Sequence, residues 1–138
     1  MKWLRRLTVF QLLALLVFLA LFGLASNASA YETQSSKANR VQVDVKPVQL
    51  ATGKPANFEV RMTTHSVELD QDLTAVCSLR DDQGREYKPL KWKGSPPGGH
   101  HRSGVLAFPS LEGNPKSVTL IIRTIANVPE RIFAWQVK

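Results

Sequence analysis

The chain's three histidines, His65, His100 and His101, sit in two short polar stretches. Imidazole is the commonest side-chain ligand for zinc and copper near neutral pH. Two or three imidazoles with a carboxylate suffice for such a site. Glu68, Asp70 and Asp72 follow His65, and Glu130 lies in a later turn, so carboxylates are at hand. Two features oppose a metal. Adjacent residues of an extended chain point apart, which separates His100 from His101, although Gly98 and Gly99 relax that constraint. Arg102, Lys91 and Lys93 also lie close in sequence and repel a cation. The competing expectation is a structured loop with a histidine ring packed on Trp92 and hydrogen-bonded to backbone. His65, His100 and His101 are thus the candidate metal ligands, with zinc or copper as the only cofactor considered.

Other reactive residues lack the setting their chemistry needs. Cys77 is the only cysteine. It falls in an alternating segment on the apolar side with Leu73, Ala75 and Leu79, where a free cysteine behaves as a small hydrophobe. A blue-copper centre needs that thiolate beside two imidazoles, and the histidine loops lie away from it. A nucleophilic cysteine needs exposure and a partner histidine. Ser66 follows His65 directly, but there is no G-x-S-x-G turn between a strand and a helix. No glycine-rich phosphate loop occurs. Trp92, among Lys88, Lys91 and Lys93, is suited to stacking on a sugar or meeting an anionic polymer. Packing of Trp92, with the lysines guarding an edge, accounts for the same residues. No catalytic residue is expected.

The elements that must position these residues are strands. From Arg40 the apolar residues recur every second position: Val41, Val43 and Val45, then Phe58, Val60 and Met62 after a turn at residues 51–55. Residues 73–80 form a third alternating run. Asp81-Asp82-Gln83-Gly84 is a hairpin turn. Residues 85–93 carry Pro89 and three lysines, the marks of an edge strand. After a Gly/Pro-rich loop, residues 104–109 make a short strand. Residues 118–125 are apolar on both faces, as in a central strand, and residues 132–137 close the series with Phe133, Trp135 and Val137 on one side. About seven short strands with frequent turns predict an all-β, antiparallel two-sheet sandwich of immunoglobulin type over residues 39–138. A small barrel is the alternative. In such a sandwich the ends of even-numbered strands share a pole. The loops with His65 and with His100 and His101 should therefore meet, together with the turn bearing Glu130.

The first thirty residues have the three-part plan of a secretory signal. Lys2, Arg5 and Arg6 make a basic head, residues 7–25 are almost wholly apolar, and Ala28-Ser29-Ala30 is a small-x-small cleavage site. The polar tail favours cleavage after Ala30. The length of the apolar run, close to that of a bilayer-spanning helix, favours an uncleaved anchor in contact with the membrane through residues 7–25. Either way the basic head stays inside and the domain is exported, to a periplasmic or extracellular face. Residues 31–38 are polar and are expected to be a flexible linker.

Eighteen Lys and Arg stand against eleven Asp and Glu; setting aside the three in the head leaves a charge of about +4. That is mildly basic, without the concentrated stripe of a nucleic-acid binder. One cysteine excludes an internal disulfide.

The phrases Thr64-His65-Ser66-Val67-Glu68-Leu69 and Gly98-Gly99-His100-His101-Arg102 resemble those of small secreted or membrane-anchored bacterial β-sandwich proteins. The resemblance implies an immunoglobulin-like fold and attaches no activity. The functional expectation is an exported, non-enzymatic binding or interaction module working through its histidine-bearing pole on a protein or other envelope partner. The alternative is a periplasmic or cell-surface zinc- or copper-binding protein.

Overall fold

The computed structural model describes residues 30–138. The expected signal or anchor lies, apart from Ala30, outside the described residues. From Tyr31 onward the chain is mostly β. The strands are β1 (Gln34–Ala38), β2 (Val41–Gln49), β3 (Pro55–Thr64), β4 (Cys77–Asp81), β5 (Glu86–Tyr87), β6 (Lys91–Gly94), β7 (His101–Ser110), β8 (Ser117–Arg123) and β9 (Glu130–Gln136). One helical turn, α1 (Leu73–Val76), precedes β4, and a 3-10 turn (Ile125–Asn127) precedes β9. One sheet has the order β1-β2-β3-β7-β6 and the other β5-β4-β8-β9. Every ladder between these strands is antiparallel.

The period-two pattern sets which faces are buried. Val41, Val43 and Val45 of β2 point inward with Phe58, Val60 and Met62 of β3, in a register that pairs Val43 with Met62 and Val45 with Val60. From the other sheet come Cys77, Leu79, Val118, Leu120, Ile122, Phe133 and Trp135, and both sets belong to one hydrophobic cluster. Phe58 is at its centre, edge-on to Phe108 at 5.8 Å between ring centroids and tilted against Trp135 at 5.4 Å. Such aromatic pairs add about 0.5–1.5 kcal/mol each beyond the area they bury. Strand β8 is central in its sheet, as its two apolar faces predict, and Ile121 is buried on the side opposite Leu120 and Ile122.

Three expectations are corrected. Residues 85–93 are not one edge strand. The chain leaves one sheet after Tyr87, crosses at Pro89, and joins the other at Lys91. Proline supplies no ladder donor, and each half is an edge strand of its own sheet. Residues 73–76 turn as a helix instead of extending the third strand. Asp72 accepts hydrogen bonds from the Thr74 amide (2.9 Å) and hydroxyl (2.7 Å), capping the turn, and Ala75 faces solvent. The linker expected at residues 31–38 contains β1, which pairs with β2 from Gln34↔Val45 to Ala38↔Val41. These two changes to the edges make nine strands where about seven were expected.

Residues 31–39 are a strap sewn to both sheets. The Gln34 amide donates to the Ala134 carbonyl and accepts from the Ala134 N–H, acting as an extra ladder rung on the free edge of β9. The Trp135 indole N–H donates to the Glu32 carbonyl at 3.1 Å. The Arg131 guanidinium, 2 % exposed, donates to the carbonyls of Ser36, Ala38, Val41 and Ile125 and to the Ser36 hydroxyl. A polar segment thus earns its place through side-chain bonds to strand β9, about a hundred residues away in the chain.

Cys77 is buried as its alternation predicts, at 1 % exposure. Burial pushes its thiol up to about 12, so almost no thiolate exists at neutral pH. Thiol reagents should label the native protein slowly and the unfolded protein at the rate of a free cysteine. Fast native labelling would mean that the face is wrongly assigned. Cys77→Ser should destabilise by about 1–3 kcal/mol in urea unfolding, because it buries a hydroxyl in an apolar setting.

Candidate functional site

The two histidine loops meet, as strand counting predicts, and backbone joins them. Thr64 N–H donates to the His100 carbonyl (3.0 Å), Leu69 N–H to the Gly99 carbonyl (3.0 Å), and Gly98 N–H to the Leu69 carbonyl (2.8 Å). The Glu68 carboxylate accepts from the Gly99 N–H at 2.8 Å. Gly98 and Gly99 have φ of 113° and 73°, left-handed values at which a Cβ is strained. They form the turn that brings this loop back over residues 68–69.

The meeting of the loops does not assemble a metal-holding group among the described residues. His65, His100 and His101 are all exposed. His101 opens β7 opposite Thr63, and since Arg102 points inward, His101 points outward. Among the described residues, no group of three or more His, Cys, Asp or Glu side chains is placed to hold a metal ion. Glu68 is engaged with Gly99, and Glu130 is paired with Arg123 at 3.3 Å. Among the described residues, no hydrogen bond joins a histidine ring to a serine or carboxylate.

Arg102, read from sequence as a charge that would repel a cation, is a buried strut. It is 2 % exposed and donates to the carbonyls of Leu69 (3.2 Å) and Gln71 (2.7 Å). Its guanidinium lies over the Trp92 ring at 5.7 Å. Burial lowers its pKa, and Asp72 and Asp70 act in the opposite direction. Trp92 is half-buried, with its indole N–H on the Ser95 carbonyl. Its ring covers the facing pair Gly94 and Gly104, where a Cβ on either strand would collide with backbone. Packing thus accounts for Trp92. Arg102 and Arg131 play matching parts: each is the second residue of its strand, and each holds backbone carbonyls, Arg102 those of the loop at Leu69 and Gln71, Arg131 those of β1, the start of β2 and the turn at Ile125. The signal was present in the sequence, since Arg131 shares parity with Phe133 and Trp135, and Arg102 with Leu106 and Phe108.

Above these struts is an open cleft of about 580 Å³ between the Asn39-Arg40 hairpin turn, the Ser66-Val67-Glu68 stretch and Ala126-Asn127. Its walls are tied together. The Thr64 hydroxyl donates to the Arg40 carbonyl (2.8 Å) and accepts from the Ser66 and Val67 amides (3.3 Å each). The Asn39 amide donates to the Ala126 carbonyl at 3.0 Å. Among the described residues, the non-glycine positions with left-handed φ are Asn39, Arg40, Thr124, Ala126 and Asn127, and all but Thr124 line this cleft. Such conformations cost of order 1–3 kcal/mol each and persist where surrounding structure enforces them, commonly at binding sites. The cleft offers a guanidinium, a hydroxyl, a primary amide, a carboxylate and the half-buried Val67, a set suited to recognition. Sequence reasoning missed it because left-handed residues other than Gly and Asn carry no strong sequence mark.

Comparison with protein-family models, with curated proteins and with solved structures returned no match for this chain.

Proposed function

We propose that the protein is an exported immunoglobulin-like sandwich acting as a non-enzymatic binding module, with the cleft pole as its working surface. The strand orders support the architecture: β2-β3-β7-β6 and β5-β4-β8-β9 correspond to A-B-E-D and C′-C-F-G of immunoglobulin domains, with β1 added at one edge. By that correspondence the pole gathers the B–C, D–E and F–G loops, the end used for recognition in many such domains; this is an argument from fold analogy. The observation that carries the functional reading is the gathering of left-handed residues around one cleft: the Asn39-Arg40 pair is accounted for by its two-residue hairpin turn, and Ala126 and Asn127 facing it are the strained positions that support a binding role. Export follows from the signal-like residues 1–30. Zinc or copper handling is the second-ranked reading, and no metal-ligand group among the described residues favours it.

A photo-crosslinking amino acid placed at Ser66 or Asn127, in the cleft walls, should give a discrete, saturable adduct in the native envelope. The same probe at Thr52 or Glu112, at the opposite pole, should not. Arg40→Glu should diminish the adduct formed through Ser66. Equal adducts from both poles, or none from the cleft, would remove the pole from consideration. Calorimetry with zinc and copper should show only heats of dilution. A one-to-one isotherm abolished by His65→Ala would make metal binding the primary function.

A further inference from the structure

We propose that the Ala30–Tyr31 peptide bond is a processing site that folding closes, so that the order of folding and cleavage decides whether the domain is released or stays attached to its apolar segment. The inference rests on the signal-like reading of residues 1–30 and is independent of the cleft.

Ala30 is exposed, and from the next residue the chain is bonded to the domain. The Tyr31 hydroxyl donates to the Leu50 carbonyl at 2.8 Å and accepts from the Lys138 N–H at 3.0 Å. The Lys138 ammonium lies 4.7 Å from the Tyr31 ring centroid, and that ring packs on the hydrophobic cluster. The Trp135 indole holds the Glu32 carbonyl, and the Gln34 side chain is bonded to Ala134. Contacts to Leu50, Lys138, Ala134 and Trp135 therefore hold Tyr31, Glu32 and Gln34 just after the scissile bond. A peptidase takes its substrate as an extended strand, with residues on both sides of the bond engaged by main-chain hydrogen bonds. In the folded domain the downstream side is already committed. Cleavage then requires the strap to open, and its rate follows the population of the open form.

The chemistry is ordinary hydrolysis by a membrane-bound signal peptidase. Water adds to the Ala30 carbonyl, the bond to the Tyr31 nitrogen breaks, that nitrogen takes a proton, and Ala30 leaves as a carboxylate. A chain cleaved while still extended yields a free domain beginning at Tyr31. A chain that folds first keeps residues 1–30, and its first fixed residue lies only a few positions beyond the apolar run. The strap enters at the end of the domain that carries Leu50 and Lys138, so a retained segment leaves the cleft pole facing away from the membrane.

The test uses the full chain, folded in detergent and exposed to purified signal peptidase, with the mature product followed by mass. A second form carries an insertion of roughly eight residues, about 26 Å of extended chain, between Ala30 and Tyr31. The insertion begins with a second copy of residues 31–34, so that the bond keeps its neighbours. The native chain should be cleaved slower than the inserted chain by about tenfold or more. Gln34→Ala, which frees one stitch, should fall between them. Thermal unfolding of all three establishes that the domain is folded. Equal rates for native and inserted chains would overturn the gating. Failure of both chains to be cleaved after Ala30 would overturn the processing site itself.

Discussion

Arg131→Met should lower the stability of the folded chain by about 2–4 kcal/mol. Methionine fills similar length without a donor. The carbonyls of Ser36, Ala38, Val41 and Ile125 then lose the guanidinium that serves them all. Removing a buried charge refunds some desolvation, and that gain limits the loss. Arg131 has no carboxylate partner among its hydrogen bonds, and burial alone lowers its pKa, so the replacement leaves no orphaned anion behind. The effect should be local as well as global. Amide hydrogen exchange in β1 should speed up more than in β8, because the strap loses its main tie to β9. Urea unfolding gives the magnitude and hydrogen exchange the location. A loss below about 1 kcal/mol, or uniform exchange, would show that the strap is held by β1–β2 pairing alone.

Asp81→Ala should cost about 2–4 kcal/mol at neutral pH. The Asp81 side chain is fully buried at the end of β4. Its carboxylate accepts from the amides of Gln83 and Arg85 (2.9 Å each), from the Tyr87 hydroxyl (3.0 Å) and from the Arg85 guanidinium (3.4 Å). Tyr87 in turn accepts from the Glu112 N–H at 3.1 Å, so the network joins the β4–β5 hairpin to the loop after β7. Burial pushes the Asp81 carboxyl upward, but the bonds from Arg85, Tyr87 and Gln83 together outweigh it and hold the pKa below the usual carboxylate value. The direction determines the pH dependence. The unfolded group titrates near about 3.9 and the folded group lower, so the contribution is complete above the unfolded value. It is lost as pH falls through the folded value. Asp81→Asn, which cannot ionise, should be less stable than the native protein at pH 7, and the two should converge in acid. A constant gap between them from pH 7 to 2 would mean that the charge contributes nothing.

The core was legible in the sequence because burial on a strand is a local property. Side chains alternate by geometry, so Val41, Val43, Val45, Phe58, Val60, Met62, Cys77 and Leu79 declare their inward face without knowledge of their partners. The central place of β8 was legible for the same reason, since a strand covered on both sides needs apolar residues at both parities. Failures came where alternation does not discriminate. Leu73 and Ala75 suit a strand, but the Asp72 cap offers the backbone a competing helical turn. Residues 31–38 have the composition of a linker and form β1 because Gln34 and Arg131 supply hydrogen bonds that hydrophobicity does not report.

The candidate site divides in the same way. The meeting of the histidine loops followed from counting strand ends. The outward position of His101 depends on Arg102 taking the inward one. Sequence alone determined the β character, the inward faces, the burial of Cys77 and the signal-like head, since each follows from composition or from periods of a few residues. Tertiary structure alone decided the strap, the carbonyls that the two buried arginines serve, and the cleft with its left-handed walls. Those features depend on hydrogen bonds between residues tens of positions apart, such as Arg131 with Ser36 and Arg102 with Leu69. Nothing in the neighbourhood of either partner specifies the other until the two sheets close on a common core.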